Sequence, residues 1–394
     1  GGLKKMVFKL ISGVVAVALA LVDGSQGAAS EMSSEHGKMS LEYVFEVVRH
    51  GARAPLIASE KFPVQSEMLT PMGMRQRYLL GRYNQEMYGK WNNSDLLRAI
   101  DIQSTDVLRT IQSGYSELHG VNAGSDSPPL KLTPKQVEGL KAKKRGLPQF
   151  KCRNSDKINE DLGQLAIVDG FVEKAIHTYI ETEWVDNVNT YTCNFAAKVD
   201  GGRYQNDSTY ADVMYLKDSL KNDYAETFGL DQEQVDNMTF FDAYLYSDAV
   251  FSQRFEGIPQ VVNWTDEQIS MVNNTQLYGL VLPFTSKARK LMISKLLEKG
   301  ISDIQEHTLG RRDDENCSHH HAKAPRYRLY SAHDTQIANI LFQIDPKYSF
   351  LYVPYASNIY FELYKSEGHN LEHNHHHHHH HEHEFFVRTM YNGQ

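Results

Sequence analysis

In the segment Arg49-His50-Gly51-Ala52-Arg53-Ala54-Pro55 two arginines bracket one histidine. A guanidinium carries five donors in a planar fork that matches phosphate or carboxylate oxygens, and a neutral imidazole nitrogen can attack phosphorus or carbon. The combination suits phosphoryl transfer, with the arginines holding an anion while the imidazole accepts the transferred group. Gly51 would let the backbone come close to that anion, and Pro55 stiffens the exit from the loop. The bland alternative is a basic surface turn that happens to contain a histidine, and three further segments weigh against it.

Those segments supply both the elements and the missing chemistry. The apolar run over residues 43–48 reads as a buried strand, so Arg49 and His50 fall at its carboxyl end, where ligand sites of open α/β sheets collect. Tyr327-Arg328-Leu329-Tyr330-Ser331-Ala332-His333-Asp334-Thr335 repeats the arrangement: a strand ends at His333-Asp334, and a helix follows with Ile337, Ile340 and Leu341 on one side. Ile100–Ser104 reads as another strand, after which Thr105 or Asp106 caps a helix carrying Val107, Leu108, Ile111 and Tyr115. Arg109 lies in the first turn of that helix, where unsatisfied N–H groups and a partial positive charge already favour an anion. Leu69-Thr70-Pro71-Met72-Gly73-Met74-Arg75-Gln76 offers an N-cap and a proline at the first helical position, so a helix should run to Tyr88, with Leu79, Leu80, Tyr83 and Met87 as its core contacts.

Taken in order, Arg-His-Gly-x-Arg-x-Pro, Leu-Thr-Pro-x-Gly-x-x-Gln, Ser-Thr-Asp-x-x-Arg and Tyr-Ser-Ala-His-Asp-Thr resemble the recurring blocks of the histidine acid phosphatases of the lysosomal or secreted type, over roughly residues 41 to 392. The resemblance implies an α/β fold with a central mixed sheet flanked by helices, of the histidine phosphatase and phosphoglycerate mutase-like kind, plus a smaller, mainly helical cap domain. Residues 41–120 and 284–394 would form the catalytic domain and 121–283 the cap. The implied activity is hydrolysis of small phosphate monoesters without metal or other cofactor. His50 would be the nucleophile, Arg49, Arg53 and Arg109 would hold the phosphoryl oxygens with His333 as a further donor, and Asp334 would protonate the leaving group and later activate water. A phytase or other inositol-phosphate phosphatase of the same superfamily is the alternative enzyme reading. The alternative from another class is a secreted metal-binding protein whose phosphatase fold is incidental, against which the intact set of six residues speaks. His50 must be unprotonated to attack, and nearby arginines should lower its pKa below about 6.5, whereas Asp334 must be protonated, so activity is expected to peak at roughly pH 4 to 6.

The resemblance also marks two departures. Animal members carry a cysteine after the Pro-Tyr-Ala-Ser segment and a partner in the cap, but this chain has Asn358 at the first position and the second falls near Asp248. Both halves are missing together, so the cap is expected to be held by packing alone. The chain also stops at Gln394, just after the last expected strand, where relatives often continue to another cysteine.

The rest of the sequence bounds the setting. At 394 residues the chain is long enough for two lobes, and a net charge of −8 argues against nucleic acid as a partner. Lysines at 4, 5 and 9, an apolar run over 10–22 and small residues at 24–29 have the layout of a secretory signal peptide, assigned to residues 1–29. Six N-x-Ser/Thr sequons, at Asn92, Asn206, Asn237, Asn263, Asn273 and Asn316, agree with a glycoprotein that is lysosomal or secreted. Cys152, Cys193 and Cys317 have no metal-site spacing, and an odd number leaves one thiol outside any internal pairing. Helical patterns are expected at 133–144, 169–184, 211–227 and 266–280, with another at 285–300 ended by Gly300. Residues 358–364 and 384–391 alternate as a hairpin whose loop holds seven consecutive histidines, His375 to His381, with His319, His320 and His321 as a second cluster. Such tracts bind nickel or zinc adventitiously and are expected to have no catalytic part. The oligomeric state is left open, a homodimer included.

Overall fold

The computed structural model describes residues 5–11, 14–20, 39–89, 96–123, 131–142, 155–165, 174–178, 208–281, 286–309, 325–345, 352–366 and 384–394. All three cysteines, both histidine clusters and the sequons at Asn92, Asn206 and Asn316 lie outside the described residues. Near the amino end, β1 (Lys5–Ile11) and β2 (Val14–Ala20), the apolar stretch read as a leader, pair as an antiparallel hairpin.

The main sheet takes strands from both ends of the chain. It comprises β3 (Met39–Arg49), β4 (Ile100–Ser104), β5 (Ile176–His177), β6 (Tyr327–Ala332), β7 (Asn358–Ser366) and β8 (Phe385–Tyr391), in the order β5-β4-β6-β3-β7-β8. The β3–β6, β4–β6 and β4–β5 pairs are parallel, whereas β3–β7 and β7–β8 are antiparallel, so the sheet is mixed. From Tyr43 onward, alternation along β3 divides the core. Tyr43, Phe45 and Val47 face Ile293 and Leu296 of the Ser286–Leu309 helix and Ile337, Ile340 and Leu341 of the Asp334–Ile344 helix. Val44 and Val48 face Tyr88 of the Pro71–Tyr88 helix and Leu118 and Val121 of the Leu108–Ala123 helix. A third core, formed by Leu220, Tyr224, Met238, Val250, Trp264 and Val272, belongs to the helices Ser208–Phe228, Phe240–Phe255 and Asp266–Val281 and the segments between them.

The Pro71–Tyr88 helix starts as expected: Thr70 Oγ1 accepts from Gly73 N at 3.1 Å, and Pro71 occupies the first turn. Its buried face differs from the apolar stripe expected of it. Gly73, Arg77, Gly81, Asn84 and Tyr88 are inside, Leu79 and Leu80 are half-buried, and Tyr83 and Met87 are 57% and 45% exposed. Two close approaches explain the reversal. A Cβ on Gly81 would lie 2.0 Å from Glu117 O, and one on Gly120 would lie 2.0 Å from Tyr78 O, so this helix and Leu108–Ala123 touch backbone to backbone and no apolar side chain fits between them.

Polar groups fill the remaining space. Glu46 accepts from Asn84 Nδ2 (3.0 Å), Tyr327 OH (2.6 Å) and Asn358 Nδ2 (3.0 Å), Arg77 pairs with Glu117 at 2.5 Å, and Glu362 accepts from Tyr88 OH (2.6 Å) and Arg388 Nε (2.6 Å). An unpaired buried carboxylate costs several kcal/mol, more than the ~2 kcal/mol a buried leucine returns, so the acids persist there only because every one is bonded. Burial pushes the Glu117 carboxyl above the ordinary carboxylate range. A carboxyl raised in the fold keeps a proton that the unfolded chain releases, so its contribution to stability is full in acid and declines as pH rises through the raised value.

Three further expectations are corrected. Within 169–184, Ile176–His177 is not helical but a short strand alongside β4, placed there by Ile176 packing over Gly114, while residues 169–173 and 179–184 lie outside the described residues. Gly300 does not end its helix, which runs on to Leu309; it is where the helix lies flat on the Phe45 ring, with a Cβ there only 2.4 Å from Phe45 Cδ1. The Phe240–Phe255 helix is not held by packing alone. Asp248 takes both Arg53 Nη groups (2.8 and 2.9 Å) and Leu56 N (2.8 Å), a buried ionic clasp between this helix and the Arg-His loop.

Candidate active site

Parallel pairing sets the site. Because β3 and β6 run side by side with Arg49 opposite Ala332, their next residues, His50 and His333, emerge together, and His50 N donates to Ala332 O at 2.9 Å. The two imidazole centroids are 5.5 Å apart. Alongside β6, β4 ends at Ser104, after which Thr105 reaches His333 and the following helix presents Arg109. All six residues named from the sequence therefore gather at the carboxyl ends of three adjacent parallel strands.

His50 is buried, and its Nδ1 lies 2.8 Å from Gly51 O. A carbonyl oxygen only accepts, so Nδ1 carries the proton and Nε2 keeps its lone pair. The His50 pKa is held well below the ordinary value, first by burial and then by Arg109, Arg49 and Arg53. The arginines act as the sequence suggested, but desolvation leads. His333 is lowered by the same causes in the order burial, Arg109, Arg53, Arg49. Its Nε2 lies 2.9 Å from Thr105 Oγ1, which bonds Thr110 Oγ1 at 2.8 Å.

Each arginine is paired with one carboxylate. Arg49 Nη2 meets Asp334 Oδ2 at 2.6 Å, Arg53 is clasped by Asp248, and Arg109 Nη1 meets Glu67 Oε2 at 2.5 Å. Arg49 also donates to Val353 O and stacks 4.3 Å from the Tyr355 ring centroid, so its plane is fixed between a carbonyl and an aromatic face. Asp334 Oδ1 accepts from Thr335 N at 2.9 Å, orienting the acid at the start of its helix. Three positive charges thus balance three negative ones, yet the buried Nε of Arg49, Arg53 and Arg109 each has no hydrogen-bond partner among the described residues. Unused, desolvated cationic donors beside a neutral nucleophile are what an anionic substrate would satisfy.

The Gly51 backbone is not turned toward an anion, as the sequence suggested, but is pressed on the first turn of the Pro71–Tyr88 helix. A Cβ at Gly51 would lie 2.3 Å from Gly73 O, and Gly51 N donates to Ser113 Oγ at 3.1 Å. Ala52 N donates to Gln76 Oε1 at 2.9 Å, so the glutamine of the second block shapes the Arg-His loop. Sequence reasoning missed Thr105 as the partner of His333, Asp248, Tyr355 and Glu67. Tyr355 stood in the Pro-Tyr-Ala-Ser segment, Thr105 in the Ser-Thr-Asp-x-x-Arg block and Asp248 near the expected cap position, whereas Glu67 had no signal.

Beside Arg49 and Tyr355 opens a cavity of about 330 Å³ walled by Phe251, Phe255, Tyr352 and Tyr355, with Arg254 the one cation that lines it among the described residues. Asn273, one of the sequon asparagines, stands on its wall, whereas Asn237 and Asn263 are exposed. Among the described residues no group of three or more His, Cys, Asp or Glu side chains is placed to hold a metal ion.

The sequence matches the family described as histidine phosphatase superfamily (branch 2) over residues 58–392, a span that begins just after the Arg49–Pro55 segment. It is 38% identical to prostatic acid phosphatase of Rattus norvegicus over 86 residues, 20% of this chain and 23% of that protein. Against prostatic acid phosphatase of Bos taurus it is 28% identical over 153 residues, 35% and 39% of the two. The chain thus covers well under half the length of these relatives. The fold is similar to that of multiple inositol polyphosphate phosphatase from Bifidobacterium longum in complex with inositol hexasulfate, with a TM-score of 0.52 at 12% identity over 94% of this chain and 90% of that one.

Proposed function

The chain belongs to the histidine phosphatase superfamily, branch 2, and from that premise we propose that it is an acid phosphatase hydrolysing phosphate monoesters through a covalent phosphohistidine. The observation that carries the reading is the neutral His50, with Nε2 left free by the Gly51 carbonyl, among three arginines whose buried Nε groups are unused. Arg49, Arg53 and Arg109, with His333, take the phosphoryl oxygens and set phosphorus in line with His50 Nε2. As the P–N bond forms and the P–O bond breaks, the Asp334 carboxyl gives its proton to the leaving alkoxide. Water then attacks the phosphohistidine, Asp334 takes the water's proton, and inorganic phosphate leaves. For Asp334 to do this, Arg49 must turn from it to the substrate, an exchange of one anion for another that keeps the guanidinium paired.

Among the described residues the aromatic cavity next to Tyr355 presents a single cation, Arg254, which supports general phosphomonoesters ahead of the phytase alternative, because an inositol polyphosphate brings several further phosphates that need cations of their own. Residues 41–120 and 284–394 act in this reading as the catalytic domain and 121–283 as the cap that closes over it. The leader layout and the sequons suit a secreted or lysosomal enzyme; no helix among the described residues is long and apolar enough to cross a membrane.

The test is kcat/KM against pH for p-nitrophenyl phosphate, glycerol 2-phosphate and phytate. Because the His50 pKa is depressed, the acid limb should lie well below pH ~6.5, with activity rising as His50 loses its proton and falling again as the general acid loses its own. An optimum at neutral or alkaline pH, or phytate as the preferred substrate, would reject the reading.

The histidine loop should be dispensable. It lies outside the described residues, but β7 and β8 remain in register up to its base, where Ser366 N donates to Glu384 O at 2.8 Å, so a short turn can join them. Removing residues 370–383 should abolish retention on a nickel column and keep activity within about twofold of the full chain. A folded deletion variant without activity would assign the loop a role in catalysis.

A further inference from the structure

We propose, building on the phosphomonoesterase reading, that Glu67 is a specificity-determining residue which admits single phosphates on neutral or cationic alcohols and turns away polyanions. Its backbone has φ 66°, in the left-handed region that favours glycine. The conformation is imposed from both sides. Glu67 N donates to Pro55 O at 3.2 Å, Ser66 Oγ to the same oxygen at 2.7 Å, Ala54 N to Met68 O at 2.9 Å, and Leu69 N to Gln112 Oε1 at 3.1 Å. A glutamate thus sits in strained backbone with its carboxylate 2.5 Å from Arg109, the arginine that acts most strongly on both active-site histidines.

The other two carboxylates in the site have structural work. Asp248 fastens a helix, and Asp334 is bonded at the start of its own helix. Glu67 stands on a loop, 49% exposed where Arg109 is 14% exposed, and its carboxylate bonds Arg109 alone among the described residues. It is therefore the anion at the solvent side of the arginine. A phosphate entering the site meets Glu67 as a competitor for Arg109 and a neighbour a few ångströms away. One additional negative charge on the substrate near that carboxylate should weaken productive binding by roughly tenfold after screening at a half-exposed site, and a cationic group should gain a partner.

The test uses the full chain and its E67Q and E67G variants at pH ~6, where an ordinary carboxylate is ionised. kcat/KM is measured for glycerol 2-phosphate, phosphoethanolamine and inositol hexakisphosphate, and affinity for the non-hydrolysable polyanion inositol hexasulfate by calorimetry. E67Q should raise kcat/KM on inositol hexakisphosphate about tenfold relative to glycerol 2-phosphate, lower it several-fold on phosphoethanolamine, and tighten inositol hexasulfate about tenfold. E67G, which removes the charge and relieves the backbone, should do the same. Ratios and affinity within twofold of wild type in E67Q would overturn the proposal, as would a shift confined to E67G, which would assign the effect to strain. Wild type inert toward all three esters would reject the phosphatase reading instead, and the calorimetric comparison would still decide the role of Glu67.

Discussion

His50→Ala should abolish hydrolysis of every phosphomonoester, leaving less than about a thousandth of the wild-type rate, which corresponds to at least ~4 kcal/mol of transition-state stabilisation. The substitution removes the attacking atom and leaves the anion site standing. Arg49, Arg53 and Arg109 keep their carboxylate partners, and the loop stays tied through His50 N to Ala332 O and Ala356 N to His50 O, backbone bonds that alanine at position 50 makes equally well. The variant should therefore fold and still bind inorganic phosphate, which separates a lost nucleophile from a lost site. Rapid quenching of wild type into alkali should trap labelled phosphate on His50, because phosphohistidine survives base. Label on a serine or aspartate, or residual turnover above the stated level, would assign the nucleophile elsewhere.

The strands that end in the site and the gathering of the six residues were legible for a local reason. Two apolar runs that each end in a chemical pair, Arg49-His50 and His333-Asp334, need only to be parallel neighbours for the pairs to meet, and a one-residue slip would have turned Val47 and Val48 to the wrong faces. The charge partners were not legible. Asp248 and Glu67 lie 195 and 42 residues from the arginines they hold, and no periodicity links such positions. The buried face of the Pro71–Tyr88 helix was hidden for a different reason. Reading apolar spacing finds cores made of oil, whereas Arg77, Asn84 and Glu117 are buried and joined by polar contacts where two glycines bring two helices backbone to backbone. Gly300 and Gly51 carry the same lesson. A glycine in a sequence marks a close approach, but whether the neighbour is a ligand, a ring or another helix depends on packing that the sequence does not display.

Asp334→Asn should slow hydrolysis by ~10²- to 10⁴-fold for alkyl phosphates such as glycerol 2-phosphate and far less for p-nitrophenyl phosphate. The difference follows from what each leaving group needs. An alkoxide is too basic to depart unprotonated, while a nitrophenolate leaves as the anion, so only the first depends on the proton that Asp334 supplies. Asparagine keeps the shape, and its side-chain oxygen can still accept from Thr335 N, so the helix start should persist. The charge does not persist. Arg49 loses the carboxylate partner 2.6 Å away and, among the described residues, keeps the Val353 carbonyl and the Tyr355 and Phe251 faces, which leaves a buried guanidinium undercompensated until an anion arrives. Inorganic phosphate should therefore bind the variant more tightly than wild type, even as turnover falls. With the activated ester, hydrolysis of the intermediate should become limiting because water has lost its base, and a burst of nitrophenol matching the enzyme concentration should precede a slow steady state. Equal losses on the alkyl and aryl esters, or no burst, would remove Asp334 from proton transfer and leave it as the residue that positions Arg49.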